Sequence, residues 1–315
     1  MSTSKGCVLL TGGAGLVGRN VAALAAEAGW SLVAPTSREL DLRDAQATTD
    51  FVARLKPDVV IHAAGRVGGI QANIAAPVDF LVTNLDLGRN IVMAARAAGV
   101  PRLLNLGSSC MYPRDAANPL PEASVLHGEL EPTNEGYALA KIAVARLCQY
   151  VSRETPQLSY KTLIPCNLYG LYDKFDPKHS HLVPAIIHKV HVAKTRQLPE
   201  VEIWGDGTAR REFMFAGDLA DAIWRALERF ESLPDMMNVG VGADHSVNDY
   251  YRIAAQVIGW QGRFAHDASK PAGMRQKLVS IERQTAWGWA PRTTLEDGIR
   301  ATYQHYLSLN EEANQ

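Results

Sequence analysis

Eight residues near the start of the chain, Thr11-Gly12-Gly13-Ala14-Gly15-Leu16-Val17-Gly18, restrict the fold more than any other stretch. They follow the apolar run Cys7–Thr11 and open a segment of helical spacing. Glycines in this strand-turn-helix setting let the backbone turn tightly and approach a pyrophosphate at a helix N-terminus. The spacing is GxxGxxG rather than GxGxxG. A tight strand-to-helix turn without a ligand is the plainer alternative, but the context favours a dinucleotide. At the end of the second strand, where NAD enzymes usually set an acid against the ribose 2′-hydroxyl, the chain has Ala34-Pro35-Thr36-Ser37-Arg38. The Ser37 hydroxyl and the Arg38 cation suit a 2′-phosphate, so NADP (NADPH) is the expected cofactor; a solvated loop arginine is the alternative.

The rest of the pattern extends this reading. Strand-like runs at Cys7–Thr11, 31–34, Val59–His62, Arg102–Leu106 and 160–164 alternate with helical spacing at 17–28, Ala45–Leu55, 77–99 and 137–155. That alternation predicts α/β architecture with a doubly wound parallel sheet of Rossmann type. After Asn167-Leu168-Tyr169-Gly170 the pattern breaks into a loop rich in Asp, Lys and His. A helix at 181–193, a strand at 201–204 and the turn Gly205-Asp206-Gly207 follow, then a helix at 217–231 and a strand at Met236–Val239. The expected division is a dinucleotide-binding domain over 1–170, with 212–243 and part of 286–312 returning to it. The segments 171–211 and 244–285 are left for a smaller C-terminal substrate lobe.

Composition excludes several classes. The chain has 315 residues, enough for one large α/β unit and a lesser lobe. A formal net charge of -1 argues against a nucleic-acid or membrane-surface partner. The apolar run before the first glycine is of strand length, short of a signal peptide's h-region, and no stretch reaches the about 18 apolar residues of a membrane span. Cys7, Cys110, Cys148 and Cys166 form no CxxC pair and no metal-ligand spacing, so reduced thiols in the cytoplasm are expected and no metal is.

Tyr137 and Lys141 form YxxxK, a spacing that puts both side chains on one helix face. There the ammonium is expected to lower the phenol's pKa and hold a nicotinamide ribose, while Tyr137 gives a proton to a carbonyl oxygen. Gly107-Ser108-Ser109, after the fourth strand, supplies Ser108 as second donor to that oxygen. A surface Tyr and Lys with a turn serine is the bland alternative.

A larger set of runs carries a family resemblance. They are Val67-Gly68-Gly69-Ile70 with Ala72-Asn73, Gly107-Ser108-Ser109-Cys110 with Tyr112-Pro113, Leu130-Glu131-Pro132-Thr133-Asn134-Glu135, Tyr137-Ala138-Leu139-Ala140-Lys141 and Asn167-Leu168-Tyr169-Gly170. Ser180-His181, Trp204-Gly205 with Gly207-Thr208, Arg211-Glu212-Phe213, Asn238-Val239-Gly240 and Asp267-Ala268-Ser269-Lys270-Pro271 continue it. Over nearly its whole length the sequence resembles the GDP-L-fucose synthase family of extended short-chain dehydrogenases/reductases.

The resemblance implies an NADPH-dependent enzyme that epimerises C3 and C5 of GDP-4-keto-6-deoxymannose and then reduces C4. Both carbons are α to the ketone, so their protons become removable if Tyr137 and Ser108 stabilise an enolate. In this family the pair matching Cys110 and His181 exchanges the protons, a task that suits a thiol and an imidazole. Read without the resemblance, Cys110 is a small buried hydrophobe and His181 a helix N-terminal residue. The 4,6-dehydratase relatives place a threonine and two acids after the fourth strand, and Ser108-Ser109-Cys110 lacks those acids.

The resemblance places Gly12, Gly13, Ala14, Gly15, Leu16, Val17, Gly18, Ser37, Arg38, Asp41, Leu42, Leu106, Gly107, Ser109, Lys141, Pro165, Asn167, Leu168 and His181 around the cofactor. For Asp41 a helix N-cap is the alternative. It places Asn167, Lys189, Trp204, Arg211 and Lys277 around the sugar nucleotide, cations facing a pyrophosphate and the indole packing on sugar or base. Solvated surface lysines are the alternative for Lys189 and Lys277. It also implies a homodimer through a four-helix bundle built from 82–98 and 137–155.

Two departures stand out: Gly136 replaces the family's usual proline before the tyrosine, and the loop 173–179 differs where substrate is selected. The alternatives are a related reductase on another GDP-4-keto sugar, such as a colitose or 6-deoxyheptose precursor, and, more remotely, a non-catalytic NADP-binding scaffold.

Overall fold

The computed structural model describes residues 4–176, 180–270 and 274–313. In chain order the elements are β1 (Cys7–Thr11), α1 (Leu16–Ala23), α2 (Ala25–Ala28), β2 (Ser31–Val33), α3 (Ala45–Leu55), β3 (Val59–His62), α4 (Ile70–Ala75), α5 (Pro77–Ala97) and β4 (Arg102–Leu106). They continue with α6 (Glu135–Glu154), β5 (Ser159–Pro165), β6 (Asn167–Tyr169), α7 (Leu182–Thr195), β7 (Glu200–Trp204), β8 (Arg210–Arg211), β9 (Phe213–Phe215) and α8 (Ala216–Glu228). The last are β10 (Met236–Val239), β11 (His245–Ser246), α9 (Val247–Ile258), β12 (Arg263–Asp267), β13 (Gln276–Lys277), α10 (Glu282–Trp287) and α11 (Leu295–Ala313).

Six strands pair in parallel in the order β10-β5-β4-β3-β1-β2. Successive side chains of a strand face opposite sides of a sheet, so a strand covered on both faces is apolar throughout. Val8 and Leu10 of β1 enter one buried cluster with Ile61, Leu104 and Ile164. Leu9 enters the other, with Val60, Leu103 and Val144. The chain leaves β1 for β2 on one side and places β3 on the other, so the strand order reverses at β1. A crevice at the carboxyl ends of β1 and β3 follows from that reversal.

Local chemistry explains most element ends. The helix expected over 17–28 is broken at Leu24, whose N–H bonds to Val21 O in a tightened turn before α2. Gly29, at φ 74°, then stops α2. Helix α6 starts at Glu135, earlier than expected, because the turn Pro132–Asn134 leads directly into it. Gly136 sits where α6 crosses α5: a Cβ there would lie 3.0 Å from Pro77 O and 3.3 Å from the Leu81 Cβ. The missing side chain thus permits close approach of two helices. The run Asn167–Tyr169, just before the expected break, is a strand, β6, paired in parallel with β9.

A third buried cluster lies away from the main sheet. Val183, Ile186, Ile187 and Val190 of α7 pack there with Val201, Ile203, Tyr250, Tyr251 and Trp260. Helix α11 contributes Ile299 and Tyr306 to it, whereas Trp287 and Trp289 join the cluster of β1. Strands β7 and β12 pair in parallel, and β8 lies between antiparallel β11 and parallel β13. Among the described residues no helix is long and apolar enough to cross a membrane.

Candidate active site

The glycine turn sits at the predicted crevice. Thr11 Oγ1 and His62 Nδ1 share a hydrogen bond of 2.8 Å where β1 and β3 end. Burial, with Lys141 nearby, holds the His62 imidazole down to about 3, so this ring is a neutral strut. Gly12 has φ 74°, and a Cβ there would meet Ala64 N at 2.6 Å. A Cβ on Gly18 would collide with Gly12 O, and one on Gly13 would meet Ala34 Cβ at 2.9 Å. Ala14 and Gly15 stay exposed at the mouth of the turn, with Leu16 and Val17 half-buried behind them. No side chain caps the first turn of α1. Its N–H groups are therefore available to an anion, and the cradle fits a dinucleotide diphosphate.

Beyond β2, Ser37 and Arg38 are exposed, and Arg38 has no ion-pair partner among the described residues. Asp41 is committed locally: both its oxygens bind Arg43, which holds the carboxyl at about 2. The N-cap of α3 is Asp44, accepting from Ala47 N, and not Asp41. Leu42 is buried, with its carbonyl held by Asn90 Nδ2 at 2.8 Å.

Strand β4 ends at Leu106, and Gly107 N bonds to Leu163 O at 2.8 Å. Ser108 is extended and caps the short turn Ser109–Met111, its Oγ accepting from Cys110 N at 3.3 Å. Ser109 is buried. On α6, Lys141 is 7% exposed, donates to Leu106 O at 2.9 Å and lies 5.9 Å from the Tyr137 ring centre. Burial lowers Lys141 to about 8. Tyr137 moves upward from its ordinary value, by burial first and the proximity of Cys110 second, against an opposing hydrogen bond with Ser108. The expected lowering of the phenol by Lys141 is thus overturned: burial raises it, and the Lys141 ammonium donates a hydrogen bond to Leu106 O.

Among the described residues, the sulfur of Cys110 has two nitrogen partners: Asn134 Nδ2 at 3.3 Å and Lys277 Nζ at 3.6 Å. Lys277, grouped on sequence with the nucleotide cations, therefore points at the thiol from β13. His181 caps α7 without a side-chain cap bond and is exposed at its end; desolvation of the imidazole and the charge of Lys174 lower its pKa.

Two further groups complete the cleft. Lys189 and Lys270 lie 5.5 and 5.9 Å from the centre of the half-exposed Trp204 ring, whose Nε1 donates to Glu202 Oε1 at 2.8 Å. Burial lowers Lys189. Arg211, half-buried on β8, donates to Arg210 O at 2.7 Å, and burial lowers it as well. Asn167 Nδ2 donates to Glu212 O at 2.9 Å, while Leu168 follows on β6 and Pro165 ends β5 beside Val239.

Sequence reasoning assigned no role to Asn134, Lys270 or Glu212. All three stand within runs quoted for the resemblance, but only folding shows which atoms they meet. Glu212 is buried and takes Val241 N, Gly242 N and Val279 N on its carboxylate, clamping the loop after β10 to the segment after β13. In the loop 173–179, Pro177, Lys178 and His179 lie outside the described residues, as does Pro271.

Residues 8–240 match the sequence profile of the NAD dependent epimerase/dehydratase family. The chain belongs to this family. One member, the GDP-L-fucose synthase of Azorhizobium caulinodans, is 54% identical over 96% of this chain and 97% of its own. The GDP-L-colitose synthase of Yersinia pseudotuberculosis is 49% identical over 96% and 98%. Among solved structures, the GDP-mannoheptose C4 reductase from Campylobacter jejuni with NADP bound superposes at a TM-score of 0.88, with 30% identity and coverage of 98% and 99%. These relatives match nearly the whole length of the chain.

Proposed function

We propose that this chain is a GDP-L-fucose synthase: it inverts C3 and C5 of GDP-4-keto-6-deoxy-D-mannose and reduces C4 with NADPH. The observation that carries the reading is the contact between two chemistries at the end of β4. The carbonyl-activating pair Ser108 and Tyr137 adjoins the thiol of Cys110, whose own N–H rests on Ser108 Oγ. The name of the 54% identical relative supports it over the full length.

When bound, NADPH supplies hydride to C4. The first turn of α1 would hold the diphosphate, and Ser37 and Arg38 would receive the 2′-phosphate; a solved C. jejuni relative has NADP bound. The remaining predicted contacts, from Leu106, Gly107 and Ser109 to Pro165 and Leu168, stand at or just after strand ends and would hold the nicotinamide portion. Tyr137 and Ser108 donate to the C4 oxygen. A phenol held above its ordinary value is protonated at neutral pH, which is the form an acid needs. The negative charge arising on that oxygen when C3 or C5 loses a proton is met by the same donors. Cys110 takes the proton, and His181 delivers one to the opposite face. The smaller lobe over 171–211 and 244–285 binds the nucleotide, with Lys189, Trp204 and Arg211 on the GDP portion and Asn167 by the sugar.

Two finer statements belong to the same proposal. Val78, Val82 and Met93 on α5 and Leu139 and Tyr150 on α6 are exposed, at spacings of four and eleven residues that keep each set on one helix face. These faces support a homodimer through a four-helix bundle, checked by light scattering of Val82→Glu. Four free cysteines support a cytoplasmic setting.

The test is turnover of GDP-4-keto-6-deoxymannose in heavy water by wild type and Cys110→Ser. Deuterium at C3 and C5 of GDP-L-fucose, lost in the variant while ketone reduction persists, is the expected result. Reduction without labelling, or turnover of another GDP-4-keto sugar alone, would favour the second reading, a related 4-keto reductase, which the 49% identical colitose synthase keeps in view.

A further inference from the structure

From the position of its side chain we infer that Lys277 is the electrostatic partner of the Cys110 base, stabilising the thiolate that takes the substrate's proton. The inference rests on the proposed role of Cys110. The Lys277 Nζ lies 3.6 Å from Sγ, and the residue is 9% exposed, so the contact is shielded from the water that weakens surface pairs. Asn134 Nδ2 approaches the same sulfur at 3.3 Å. A thiolate gains from donors of both kinds, a charge and a directed N–H.

The lysine is held in place from outside the cofactor half. Strand β13 pairs with β8 in the register Lys277↔Arg211, Glu212 N donates to Lys277 O at 3.2 Å, and Glu212 Oε2 accepts from Val279 N at 2.9 Å. Tyr137 faces the Cys110 sulfur from α6 as a protonated phenol, and Lys277 faces it from β13. Lys141 turns its ammonium to Leu106 O instead.

In the step, the Cys110 thiolate forms an S–H bond with the C3 or C5 hydrogen, the C–H pair moves into the enolate, and the negative charge passes to the C4 oxygen under Tyr137 and Ser108. His181 returns a proton from the other face. Lys277 is neither donor nor acceptor of the transferred proton: it stands beside the sulfur and balances the charge there before transfer. A lysine serving only the pyrophosphate would act on nucleotide binding and leave the thiol unaffected.

The experiment compares wild type, Lys277→Met and Lys277→Arg. Iodoacetamide modification of Cys110, followed by peptide mass across pH 6 to 10 without substrate, reads the thiolate directly. At neutral pH, Lys277→Met is expected to slow modification by about tenfold, with rates converging at high pH and recovering in Lys277→Arg. Deuterium incorporation from heavy water should fall about a hundredfold in Lys277→Met, with the KM for the GDP-keto sugar changed by less than about threefold. An unchanged modification profile overturns the inference, and so does a raised KM with unchanged labelling. Cys110→Ser is the separate control. If it keeps the labelling, the base assignment fails whatever Lys277 does.

Discussion

The two proposed catalytic groups share one substrate ketone but are built differently. Ser108, Tyr137 and Lys141 hang from β4 and the next long helix, and Lys141 closes on Leu106 at the end of that strand. Cys110, His181 and Lys277 come from three separate segments, and the Cys110–Lys277 contact spans 167 positions. The proposed reduction group is therefore fastened to the end of β4. The proposed proton-exchange group draws on residues far apart in the chain, and Glu212 ties the loop after β10 to the segment after β13, which carries Lys277.

Tyr137→Phe strikes both groups, since hydride transfer and enolate formation each need its proton. Its rate of NADPH oxidation and its deuterium labelling should both fall by about a thousandfold; labelling that survived would separate the groups more than the geometry allows. Glu212→Gln acts on one group only. Replacing a buried carboxylate that holds three backbone N–H groups should cost about 1 to 3 kcal/mol in thermal unfolding. It should also lower labelling more than reduction, and an equal loss in both would break the comparison.

Arg38→Ala touches neither group. Its KM for NADPH should rise about tenfold with NADH use unchanged, and competition kinetics against a 2′-phosphate nucleotide would check the site. The smallest effect is the pH response of Lys141. Its proton is held below about 8 and lost above it, so reduction is full on the acid side and declines as pH rises through that value. In kcat profiles Lys141→Arg should remove this alkaline fall, because guanidinium keeps its proton there.

Much of the cofactor half was legible from sequence. Strands β1, β3, β4 and β10 were expected with the bounds found, since strands buried on both faces are apolar throughout and are punctuated by glycine and proline. Tyr137, Lys141 and Ser108 were legible because a four-residue helical spacing and the end of a strand are local facts. The break at Leu24 was hidden, for nothing but the closeness of a glycine marks it. Strands β8, β11 and β13 have two residues each, too few for any period to register. Asp41 shows the same limit at smaller scale: two acids stand near the start of α3, and only the backbone decides that Asp44 caps it.

What the residue order determined by itself is whatever rests on short-range rules: the glycine turn that opens α1, the alternation that builds a parallel sheet, and the YxxxK face. The tertiary structure alone decided where Lys277 points, why Gly136 is glycine, and that the Tyr137 phenol moves up rather than down. Each of these depends on which distant atoms fill the space around a side chain. Desolvation and contact energies are set by that enclosure, and no local spacing encodes it.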